Sequence, residues 1–191
     1  MTRPALLSLD DALPQLLAHA RALNATQQVA TFEADGCVLA QDVTSALQVP
    51  PQDNSSMDGY AVRAVDCAQA GALLCVTQRI PAGTHGTQLN AGEAARIFTG
   101  APIPPGADAV VMQEDCATDS DAGQVSINIA PTSGQWIRRR GEDLTAGKTA
   151  LTAGTFLRPQ ELGVAASAGL THLNVKRRVK VAAFFTGDEL A

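Results

Sequence analysis

Apolar residues fall at helical spacing in two places along the chain. Near the N-terminus, Leu9, Leu13, Leu16, Leu17 and Ala20 line one face, Ser8 stands where an N-cap belongs, and Asp10 and Asp11 occupy the first turn, where carboxylates favour the positive end of the helix dipole. Pro14 interrupts this pattern, removing one backbone donor and predicting a kink. The second helix is predicted from Pro159, suited to a first turn, through the apolar face of residues 162–168, to Gly169 as its stop. Between the two the pattern is that of strands. In QVATFEADGCVLAQDV, two short runs flank Asp35-Gly36, a hairpin signal. The runs GYAVRAV, LLCVTQRI, AARIF, DAVVMQE and QVSINIA are short, apolar or β-branched, and separated by Gly, Pro, Asn or Asp. Such regular punctuation predicts a mostly-β domain. Residues 44–54 and the Pro-rich TGAPIPPGAD read as loops, the latter stiffened by its prolines. Residues 179–185 are almost continuously apolar, as in a central strand buried on both faces of a parallel sheet. They are expected to open a further α/β domain; the alternative is that this strand pairs with the β part.

Composition sharpens this picture. The 191 residues are 46% apolar and 17% charged, enough for a packed core and too apolar for a disordered chain. Only 4% are aromatic, so the core must be built from Ala, Val, Leu and Ile. A formal net charge of -5 argues against a general nucleic-acid binder. Cys37, Cys67, Cys75 and Cys116 form no C-x-x-C pair, and His19, His85 and His172 are scattered, so buried free thiols are expected rather than a zinc site. The N-terminus lacks the apolar core of a signal peptide and no run approaches membrane-spanning length, which predicts a cytoplasmic protein without membrane partners.

Three carboxylate clusters lie in glycine-marked loops: Asp53 and Asp58 in DNSSMDGY, Glu142-Asp143 after Gly141, and Asp188-Glu189 after Gly187. Carboxylates in such loops can ligate Mg²⁺ or move a proton, and glycine lets the backbone approach a ligand. Each cluster also has a plainer reading: a turn at Asp58-Gly59, charge neutralisation of Arg138, Arg139 and Arg140 by Glu142-Asp143, and solvated loop charges at Asp188-Glu189. The arginines suit an oxyanion, with strand alternation sending Arg138 and Arg140 to one face and Arg139 to the other; a solvated basic edge is the competing reading. Thr99 offers a hydroxyl at a strand end beside the proline loop. The residues alone indicate an anion site, with or without a divalent metal.

Four motifs in order, DNSSMDGYAVR, RIFTGAPIPPGADAVVMQE, IRRRGEDLTAG with AGTFL, and VKVAAFFTGDEL, resemble the molybdopterin molybdenumtransferase family, to which the C-terminal region of gephyrin is related. The likeness runs from about Ser8 to the last residue and matches the first part of the longer family members. It implies an α+β, mostly β fold: an elongated discontinuous domain (1–44 and 146–176), an inserted β-rich domain (45–145), and the first strand of a truncated α/β molybdopterin-binding domain (177–191). It implies that adenylylated molybdopterin and molybdate react, in the presence of Mg²⁺, to give molybdenum cofactor and AMP at a site between protomers of a homodimer, and that this chain, as a fragment, is inactive alone. By motif, the implied catalytic residues are Asp58, Thr99, Asp143 and Glu189. Ser56, Gly100, Arg138 and Arg140 would bind substrate, and Asp188 and Glu189 would hold the metal. The substrate's dithiolene sulfurs, not protein cysteines, would take the molybdenum. A non-catalytic dimerisation or scaffold module of the same architecture is the alternative, and a general Mg²⁺-dependent phosphate-ester enzyme a third reading.

Overall fold

The computed structural model describes residues 7–21, 24–119 and 122–183. In chain order these form α1 (Leu9–Leu17), β1 (Thr26–Ala30), β2 (Val43–Thr44), β3 (Asn54–Ser55), β4 (Gly59–Val62), β5 (Ala72–Ile80), β6 (Glu93–Ile97), β7 (Ala109–Met112), β8 (Cys116–Asp119), β9 (Gln124–Ile127), β10 (Ile137–Arg138), β11 (Thr149–Leu151), α2 (Pro159–Ser167) and β12 (His172–Lys176). The fold is mostly β with two α-helices among the described residues, as the sequence pattern predicts.

Both helices begin as their sequences dictate. The Ser8 hydroxyl accepts from the Asp11 N–H at 3.2 Å. At α2, Glu161 reaches back to the Arg158 N–H at 3.0 Å, Pro159 fills the first turn, and Gly169 closes the C-terminus at φ +88°. Leu162 and Ala165 bury the inner face of α2, whereas Leu9, Leu13, Leu16 and Leu17 of α1 stay exposed. Pro14 is accommodated inside α1 as one continuous helix.

The expected hairpin at Asp35-Gly36 does not form. β1 pairs antiparallel with β12, from Thr26 opposite Lys176 to Ala30 opposite His172. Past the turn, Gly36 N–H donates to Leu157 O and Leu157 N–H to Cys37 O, both at 2.8 Å, so the chain folds against residues 155–157 and not against itself. A turn signal sets local geometry only; the partner is chosen by burial, here of Ala34, Cys37, Leu39 and Val43 against Leu157, Leu162, Ala165, Leu173 and Val175.

The second body of structure is a six-stranded sheet in the order β7-β4-β6-β5-β9-β8, antiparallel except for the β5·β6 pair. Alternation gives it two apolar faces. Tyr60, Val62, Leu74, Ala94, Val111, Val125 and Ile127 pack on one with Cys67, and Ala61, Ile80, Ala95, Ile97 and Val110 on the other with Leu89 and Ala101. Gly59 is compelled by this packing: a Cβ there would overlap the Val111 carbonyl on the adjacent strand. Two-residue strands β3 and β10 pair at the margin of this body.

The apolar run 179–185 is described only to residue 183. That part adopts no regular structure, pairs with no strand, and leaves Val179 and Val181 exposed. The rest of the run, together with Asp188 and Glu189, lies outside the described residues.

Candidate functional site

Loop 53–58 is gripped from two sides by segments distant in sequence. On one side is the end of β6 and the proline loop: Gly100 N–H donates to Ser55 O at 2.8 Å, Ser55 N–H to Ala101 O at 2.9 Å, and Ile103 N–H to Asp53 O at 3.1 Å. Gly100 makes this turn at φ +81°, where a side chain is disfavoured. On the other side, Ser56 N–H donates to the Trp136 carbonyl at 2.9 Å, and β10 pairs Ile137 with Ser55 and Arg138 with Asn54. Trp136 itself sits at φ +53°, a strained setting for a non-glycine residue.

At the exposed end of the loop, one oxygen of Asp58 accepts both the N–H and the hydroxyl of Thr99, each at 2.8 Å. The Thr99 backbone and side-chain hydrogen bonds, aided by the positive charge of Arg96, hold the Asp58 carboxyl below the ordinary value. Its second oxygen takes no hydrogen bond among the described residues. Thus Asp58 and Thr99, forty-one positions apart, form one ionised, outward-facing unit flanked by Gly100 and Ser56.

The basic tripeptide is arranged differently from the sequence expectation. β10 ends at Arg138, so no strand alternation carries on through Arg140. Arg138 Nη2 lies 2.6 Å from both oxygens of Asp143, and Arg139 Nη1 donates to Asp53 at 2.6 Å. Arg140 contributes its backbone N–H to Asp53 at 2.8 Å. That backbone donor, with Arg139, holds the Asp53 carboxyl below its ordinary value. Asp143 therefore reaches the site through Arg138 and the Asp53 end of the loop, not through Asp58. The plainer reading of Glu142-Asp143, neutralising the arginines, describes this pairing, with Glu142 also 3.7 Å from Arg138.

Residues 7–169 match the family described as the MoeA N-terminal region (domain I and II). The chain belongs to this family. It is 46% identical over 164 residues to "Molybdopterin molybdenumtransferase 2" of Mycobacterium tuberculosis, covering 83% of this chain and 40% of that protein. It is 37% identical over 185 residues to the Haemophilus influenzae molybdopterin molybdenumtransferase, covering 97% of this chain and 46% of that protein. The fold superposes on the molybdopterin biosynthesis moeA protein of Pyrococcus horikoshii OT3 with a TM-score of 0.83 at 35% identity, covering 90% of this chain and 46% of that one. The chain thus spans less than half the length of these relatives.

Two residues outside the predicted site set prove central to this MoeA-family loop. Asp53 ties it to the tripeptide, and Arg96 braces its far end, donating to Gly59 O at 2.9 Å and to Gln113 Oε1 at 2.6 Å. Arg96 was not among the residues predicted from the sequence, where its one visible sign is a lone charge within the apolar run AARIF. The cysteines are free: Cys37 and Cys67 are buried, Cys116 is half-buried, and Cys75 is exposed, against the expectation of burial. Burial first, then nearby carboxylates, push the Cys67 thiol up to about 11, which keeps it protonated at neutral pH. Among the described residues no three His, Cys, Asp or Glu gather to hold a metal, and no helix is long and apolar enough to cross a membrane. Both Asp143 oxygens lie against Arg138 Nη2, whereas the outer oxygen of Asp58 takes no hydrogen bond among the described residues.

Proposed function

We propose that this chain supplies the Asp58–Thr99 half of a site that inserts molybdate into adenylylated molybdopterin, giving molybdenum cofactor and AMP. The relatives named as molybdopterin molybdenumtransferases support the role in molybdenum cofactor biosynthesis. The observation that carries the site assignment is the double hydrogen bond from Thr99 to one oxygen of Asp58, which fixes an ionised carboxylate with its other oxygen outward.

This arrangement suits a phosphate-bearing substrate handled through Mg²⁺. Magnesium is commonly held by one or two carboxylates, waters and substrate phosphates, so a single outward oxygen fits it where a closed protein cage would not. Bound there, Mg²⁺ would neutralise charge on the adenylate phosphates. The chain's own residues orient the site: Thr99 fixes the carboxylate, and Gly100 and Ser56 leave its approach open. Arg138 and Arg140 stand at the far end of the loop as the cationic complement to an anionic ligand, Arg138 exchanging Asp143 for it. Asp188 and Glu189 remain proposed metal ligands by motif. A homodimer with the site between protomers is proposed, and the exposed leucines of α1 support self-association.

AMP release from adenylylated molybdopterin by the full-length protein, assayed with molybdate and Mg²⁺, tests the reading. Asp58→Ala and Thr99→Ala should each lower it; wild-type release in both variants would favour a scaffold module of this architecture. Hydrolysis of ordinary nucleotides without any pterin would instead favour a general phosphate-ester enzyme.

A further inference from the structure

We propose that Arg96 is a positioning residue that locks Asp58 and Thr99 against each other; this rests on the reading of Asp58–Thr99 as the working pair. Arg96 lies in β6 directly opposite Tyr60 of β4. Its guanidinium crosses β4, donating through Nη1 to the carbonyl of Gly59, the residue after Asp58, and through Nη2 to the side-chain oxygen of Gln113. Gln113 in turn gives its backbone N–H to the Asp58 carbonyl at 3.1 Å. The same guanidinium stacks 4.7 Å from the centre of the Phe98 ring, next to Thr99, and 5.3 Å from that of Tyr60. One planar cation therefore touches the neighbours of both members of the pair: Gly59 and Gln113 on the Asp58 side, Phe98 on the Thr99 side. The Asp58–Thr99 hydrogen bonds close the ring.

No carboxylate pairs with Arg96 among the described residues; its Nη1 and Nη2 both donate to neutral oxygens. A guanidinium meets such a demand because its rigid fork spans two acceptors while its faces accept aromatic rings. Lysine offers a single nitrogen and cannot hold Gly59 and Gln113 at this separation with the same geometry. Arg79 provides an internal comparison. It stacks on the same Phe98 ring at 4.6 Å but makes no hydrogen bond to the ends of the strands that carry the pair.

The test follows the Thr99 amide by NMR in wild type, Arg96→Met, Arg96→Lys and Arg79→Met, with thermal melts to establish folding. In Arg96→Met the Thr99 amide should exchange with solvent on the order of tenfold faster than in the wild type. Arg96→Lys should fall between, and Arg79→Met should match wild type. Should Arg96→Met fail to fold, Gln113→Leu, which removes one of the two acceptors, should produce the same change in smaller measure. A folded Arg96→Met, or Gln113→Leu in its place, with an unchanged Thr99 exchange rate overturns the inference, and so does an equal effect from Arg79→Met. Undiminished turnover in Asp58→Asn is a separate result: it removes the functional reading of the pair while leaving the NMR outcome to stand or fall by itself.

Discussion

Thr99 places both its backbone N–H and its hydroxyl on a single oxygen of Asp58, each at 2.8 Å. Two donors on one oxygen orient the carboxylate and leave the other oxygen directed outward. The amide donor belongs to the main chain, so only the hydroxyl can be removed by substitution. Thr99→Val should keep the fold, let the Asp58 carboxyl rise toward its ordinary value, and lower kcat/KM for cofactor formation by about tenfold. Steady-state kinetics with an NMR titration of Asp58 checks both parts.

Acid should open the loop at both ends. Asp58 and Asp53 are each held below an ordinary value of 3.8, chiefly by the N–H groups of Thr99 and Arg140 respectively. A carboxyl whose pKa is lower in the folded state contributes stability that is fully present above the unfolded value and is lost as pH falls through the folded one. Amide protection at Thr99 and Arg140 should therefore persist from neutral pH down to the ordinary carboxylate range and decline below it, ahead of the central sheet. Hydrogen exchange as a function of pH measures this.

Gly59 and Gly100 should respond to alanine for different reasons. At Gly59 a Cβ meets the main chain of Val111, which cannot move without breaking the β4·β7 pairing, so Gly59→Ala should cost on the order of 3 kcal/mol. At Gly100 the nearest atom to a Cβ is the Ala82 Cβ, 4.0 Å away, and only the left-handed backbone resists substitution. Gly100→Ala should cost about 1 kcal/mol. Chemical denaturation of the two variants side by side separates them.

Asp53→Asn should weaken the loop without unfolding the protein. The Arg139–Asp53 pair is half-exposed, with side-chain exposures of 57% and 38%, so its global contribution after solvent screening should be below about 1 kcal/mol. Local exchange at Arg140, which donates to the same carboxylate, should nonetheless rise. Native-state hydrogen exchange set against denaturation reads both.

The sequence made the local features of this fold visible and left its long-range pairings hidden. Ser8, Pro159 and Gly169 marked the helix ends because capping is decided within a few residues. Five of the six strands of the sheet, all but β8, declared themselves as apolar or β-branched runs between turn residues, while two-residue β2, β3 and β10 carry too few positions to show any period. Asp35-Gly36 misled because a turn dipeptide says nothing about a partner such as β12, about 140 positions away. The tripeptide misled similarly: alternation assumes a strand, and the strand stops at its first arginine. At the site, Asp58 and Thr99 were legible as separate motifs, but their direct contact depends on β4 and β6 being neighbours. Arg96 and Asp53 act through that same tertiary arrangement, so residue type alone could not rank them.

The most direct test of the account is molybdenum cofactor formation from adenylylated molybdopterin by the full-length protein carrying Asp58→Asn and melting like wild type. The amide substitution keeps the shape and an acceptor for Thr99 but removes the charge, and turnover should fall by at least about a hundredfold. Turnover equal to wild type would contradict the claim that this carboxylate, held by Thr99, does the work of the site.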